Sequence, residues 1–135
     1  MDIYKQVDCV IFLRKHVGNI ISETDRNFNK TAYLQELEQT KNMWIEFIQK
    51  NIDKKDVILR NQLTLNFEIG NLINVIRKES HKESWKDFIV ELNKNFPNLI
   101  DIATLAYKLT GNFVRPDVIK KNTTFKEIEI TPIQS

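Results

Sequence analysis

Three glycines and three prolines in 135 residues leave few places for tight turns. An all-β fold needs many of them, so their scarcity argues against one and predicts long elements. The single cysteine, Cys9, cannot form an internal disulfide, which removes the scaffolds of small secreted domains. The two histidines and that cysteine sit in different segments. Neither Glu-x-x-His nor His-x-x-x-His occurs, so no bound transition metal is expected. Isolated glycines cannot build a phosphate-cradling loop. No cofactor and no small-molecule substrate is therefore expected. No apolar run reaches the ~18 residues of a membrane span, and no basic stretch precedes an apolar one at the N-terminus. The expected location is the cytoplasm. Charge of one sign is also lacking: 20 Lys and Arg stand against 18 Asp and Glu. That balance argues against a dedicated nucleic-acid binder but leaves room for a local basic patch.

What the chain does have is apolar residues at helical spacing. Ile3, Val7, Val10, Val17 and Ile21 form one stripe over a first helix from about Asp2 to Ser22. Ile11 widens it on one side and Leu13 and Ile20 on the other. Gly18 weakens this helix but permits close approach of a neighbour. After a polar loop, Tyr33, Leu34, Leu37, Trp44, Phe47, Ile48 and Ile52 make the apolar face of a second helix, about Thr31 to Asn51. Asp53 and Asp56 suit the start of a third helix, about Lys54 to Glu79, because carboxylates complement the free N–H groups there. Ile58, Leu65, Ile69, Leu72 and Ile76 line its main face. Leu59, Leu63 and Phe67 form a second stripe, which predicts a central helix or one that meets a partner. Ser80 to Glu83 reads as a capping box that opens a fourth helix with Trp85, Phe88, Ile89, Leu92 and Phe96. Pro97 ends it. Leu99, Ile102, Ala103, Ala106 and Leu109 fit a fifth helix, which Gly111 stops.

The expected fold is all-α: an antiparallel up-down bundle of four to five helices over residues 1–111, with helix 3 central. Residues 112–135 form an extended or flexible C-terminal tail. Only Phe125-Lys-Glu-Ile-Glu-Ile130 has strand-like chemistry there, and a lone strand has no mate inside a helical domain. The tail is disordered, laid over the bundle, or used to meet another chain.

The residues that carry chemistry are few. Cys9 lies off the main stripe of helix 1, as a small half-buried residue. His16 is expected to face solvent, and Val17-Gly18-Asn19 after it departs from the motif of histidine phosphotransfer bundles. Arg14 projects into the apolar face between Val10 and Val17, where a guanidinium must be paired or reach out to water. Glu68 is its candidate partner, in a buried ion pair that fixes helix register. Arg77 and His81 are the only pair available for a metal-independent enzyme. They approach the Arg-x(4–6)-His pattern of a class of helical nucleases, but only three residues separate them. Lys78 also replaces the polar residue that follows the arginine in that pattern.

Three functions remain. The first is a non-catalytic protein-interaction module, of the immunity or mobile-element and phage kind, that binds a partner protein or a second copy of itself. Leu59, Leu63 and Phe67 with Phe125, Ile128 and Ile130 are its candidate contacts. The architecture alone is similar to that of small helical bacteriocin-immunity proteins. The second is a helical subunit of a nucleic-acid-associated complex, using Lys54, Lys55, Arg60, Arg77 and Lys82. The third is the enzyme built on Arg77 and His81.

Overall fold

The computed structural model describes residues 2–97. The predicted fifth helix lies outside the described residues. So do the boundary between 1–111 and 112–135, and Phe125, Ile128 and Ile130. Four helices, α1 (Ile3–Thr24), α2 (Lys30–Lys50), α3 (Lys55–Glu79) and α4 (Lys82–Asn95), account for most of the described chain. No strand occurs among the described residues.

The helix starts follow local chemistry in two cases and not in the other two. Asp2 Oδ1 accepts from the backbone N–H of Lys5 at 2.9 Å and caps α1. Asn29 Oδ1 accepts from the N–H of Ala32 at 3.0 Å and caps α2. These side chains satisfy donors that a helix end otherwise leaves free. Lys54, not Asp53, is the N-cap of α3, and Asp56 sits in the first turn. The expected capping box does not form: Ser80 is the C-cap of α3, and His81 opens α4 without a side-chain cap bond. The link between α3 and α4 is only two residues, Ser80 and His81, so Ser80 ends one helix and His81 is left to start the next.

The core is organised around α1, not around α3. Ile3, Val7, Val10, Leu13, Val17 and Ile21 are buried, and each of the other helices packs on this one. Tyr33 and Leu37 of α2, Leu65, Ile69, Leu72 and Ile76 of α3, and Phe88 and Leu92 of α4 complete the interior. Pairings give the register. On α1 and α2, Asp8 faces Lys41 at 3.7 Å, and the carbonyl of Arg14 accepts from the Tyr33 hydroxyl at 2.8 Å. Residue numbers thus rise along one helix as they fall along the other. On α1 and α3, Gln6 meets Gln62 and Arg14 meets Glu68, so numbers rise together. On α1 and α4, Phe12 lies against both Phe88 and Phe96.

Gly18 is where close approach requires glycine. A Cβ there would sit 2.7 Å from Cε1 of Tyr33, whose ring is buried and tied by its hydroxyl. No helix of the described residues is long and apolar enough to cross a membrane.

Candidate functional site

Two features stand out, both involving α3. The first is a polar seam inside the protein, between α1 and α3. Arg14 and Glu68 are each 1% exposed. Arg14 Nε donates to Glu68 Oε1 at 2.6 Å, and Nη2 lies 2.6 Å from the same oxygen. The expected ion pair is therefore present and buried. Burial pushes the Glu68 carboxyl above its ordinary range, and the Arg14 charge and hydrogen bond pull it back. Two turns earlier on α1, Gln6 Nε2 donates to the carbonyl of Gln62 at 3.0 Å and to Asn66 Oδ1 at 2.6 Å. Asn71, one turn after Glu68, is also buried. Among the described residues, Gln6 Oε1 and Asn71 Nδ2 lack hydrogen-bond partners. Sequence reasoning found Arg14 and Glu68 but missed Gln6, Asn66 and Asn71. The available signal was that Gln6 lies seven residues before Leu13, on the same flank of α1.

This seam is suited to fixing one arrangement of helices. A slip of α3 along α1 would leave a buried charge without its mate, which costs several kcal/mol. Nothing in it resembles a reacting set.

The second feature is the outward face of α3. Leu59 is 69% exposed and Leu63 is 39% exposed. Phe67, expected to continue that stripe, is 1% exposed and belongs to the interior. The correction has a geometric reason: the later half of α3 is buried over a wide arc that takes in Phe67, Asn71 and Val75, whereas the first turns are buried over a narrow one. Across the α2–α3 turn, Met43, Phe47 and Ile52 are exposed too. Phe47 and Ile52 had been expected in the core face of α2. Ile52 falls beyond the end of α2, so helical periodicity does not apply to it.

The five candidate cations do not gather. Lys54, Lys55 and Arg60 stand at the start of α3, and Arg77 and Lys82 at its far end. Lys55 and Arg77 are 22 helical residues apart on α3, about 33 Å at 1.5 Å per residue. Arg77, in the last turn of α3, and His81, the N-cap of α4, are both exposed. No cluster of three metal-ligating side chains occurs among the described residues.

Two titratable groups differ from expectation. Cys9 is fully buried, not at a half-exposed flank. Burial, with Asp8 nearby, pushes its thiol up to about 12, so the thiolate is scarce. His16 is half-buried instead of facing solvent, with its ring 4.5 Å from that of Phe88. Burial lowers its pKa, and the charges of Glu91 and Glu23 oppose the shift. Its contribution to stability is present above about pH 6.5 and is lost as pH falls through the lower folded value.

No protein-family model, no characterised protein and no solved structure matches this chain.

Proposed function

We propose that this chain is a non-catalytic protein-interaction module built on an antiparallel up-down helical bundle, and that its partner docks on the outward face of α3. The observation that carries this reading is the pair Leu59 and Leu63, exposed one turn apart on a helix whose opposite side is already in the core. Exposed apolar groups in a row lose contact with water only when something covers them. Met43, Phe47 and Ile52 are further exposed apolar side chains, on α2 and in the link after it. The rigid seam of Arg14 and Glu68 supports the same reading, because a fixed helix presents a preorganised surface to its partner.

The test compares the wild-type protein with Leu59→Glu/Leu63→Glu, each immobilised and exposed to native lysate with and without nuclease. The expected result is one or more proteins held by the wild type, resistant to nuclease and lost with the double substitution. Retention that vanishes with nuclease and ignores the two substitutions overturns the reading in favour of nucleic acid.

A further inference from the structure

A second exposed surface runs along α2. Glu36, Gln39, Met43, Phe47 and Lys50 are all exposed. Their spacings of three, four, four and three residues keep them on one side of the helix. Tyr33, Leu37 and Ile48 point into the core instead. Met43 is 54% exposed and Phe47 is 40% exposed. Trp44, itself packed against the core, makes a T-shaped contact with Phe47 at 5.8 Å between ring centroids. That contact steadies the Phe47 ring while part of it stays in water.

The order of side chains along this stripe complements itself about one point. Glu36 lies seven residues before Met43 and Lys50 seven residues after it, each about 10.5 Å along the axis. Gln39 and Phe47 lie four residues before and after it. A contact between identical copies about a two-fold axis demands such a surface. With the axis through Met43, Glu36 of each copy meets Lys50 of the other, and Gln39 meets Phe47. Parallel pairing would set glutamate against glutamate and lysine against lysine, which repel. Lys50 is within reach of a new mate. Its Nζ lies 2.9 Å from Glu46, but both side chains are mostly in water, and such an i,i+4 pair is weak and screened.

We infer that α2 is the contact between two copies of this chain, crossing antiparallel at Met43 with Glu36 of each copy on Lys50 of the other. The contact does not use Leu59 or Leu63, so the dimer carries two copies of the face proposed for the partner. That consequence rests on the reading of the α3 face, whereas the dimer itself does not. Two apolar side chains per copy make a small contact, so a dissociation constant on the order of 100 μM is expected.

Sedimentation equilibrium of the full chain, from about 10 μM to about 1 mM, measures it. The wild type should pass reversibly from monomer to dimer across that range. Glu36→Lys and Lys50→Glu each place two like-charged pairs in the contact, and each should weaken it about tenfold. The two reversals combined restore both pairs in inverted order, and association should return to within about threefold of the wild type. Recovery in the double variant separates charge from loss of fold. A monomer at every concentration overturns the inference and leaves the lysate test of the α3 face standing. A double variant that stays as weak as the single ones overturns the pairing. So does a dimer that ignores the charge reversals, and if Leu59→Glu/Leu63→Glu dissolves that dimer, the α3 face joins the copies instead.

Discussion

The two sides of α3 invert the usual placement of polar and apolar groups. Inward, toward α1, the helix buries Glu68 and Asn71 among leucines and isoleucines. Outward, in its first turns, it exposes Leu59 and Leu63. Glu68 is held by Arg14, and the half-buried Asn66 by Gln6, whereas Asn71 Nδ2 has no hydrogen-bond partner among the described residues. The outward apolar groups have no comparable hold. The difference separates two tasks within one helix. Directional bonds inside choose a single register, while non-directional surface outside is free for another chain.

Several measurements can break or sharpen that contrast. The largest effect is expected at high pH, where the interior is attacked and the outward face is not. Burial raises Cys9 from 9.0 to about 12 and Tyr33 from 10.0 to about 12. The folded protein thus keeps protons that the unfolded chain has already lost. Stability from these groups is complete below about pH 9 and falls through about pH 12, by roughly several kcal/mol in all. Denaturant titrations across that range should show it, and Tyr33→Phe should remove the part that begins near pH 10.

Breaking the buried pair comes next. Arg14→Ala strands Glu68 and should cost about 3–5 kcal/mol in denaturant unfolding. Replacing both partners, Arg14→Met with Glu68→Leu, should recover most of that loss. If the double variant is as unstable as the single one, packing and not charge governs the seam. Phe67→Ala should cost about 3–5 kcal/mol, as for other buried aromatics, although Phe67 lies only one turn after Leu63. Gly18→Val drives a side chain into Tyr33 and should cost about 1–3 kcal/mol. The smallest effect is expected outside: Leu59→Glu and Leu63→Glu should each change stability by less than about 0.5 kcal/mol. A larger loss at either leucine would mean that the outward face contributes to the fold.

The four helices were legible because each apolar stripe repeats at helical spacing over many residues. The partner of Arg14 was legible for a related reason: a charge in the middle of an apolar stripe demands a mate, and few acidic residues lie on an apolar edge. Gln6 and Asn71 were harder to see, since a neutral amide on a flank makes no such demand until its neighbours are known. Phe67 was misplaced because periodicity assigns a residue to a side of its own helix without saying what lies beyond that side. The same limit applies to His16, which only the approach of Phe88 takes out of solvent.

The sequence by itself determined the class: four amphipathic helices, no internal disulfide, and a buried charge pair implied by Arg14. These follow from local periodicity and from the cost of desolvating a charge, and neither depends on topology. Only the tertiary structure decided that α1, not α3, is central, that Tyr33 closes over Gly18, and that Phe67 turns inward while Leu59 and Leu63 remain outside. Burial is a property of what packs against a face, and that is settled by the arrangement of all the helices together.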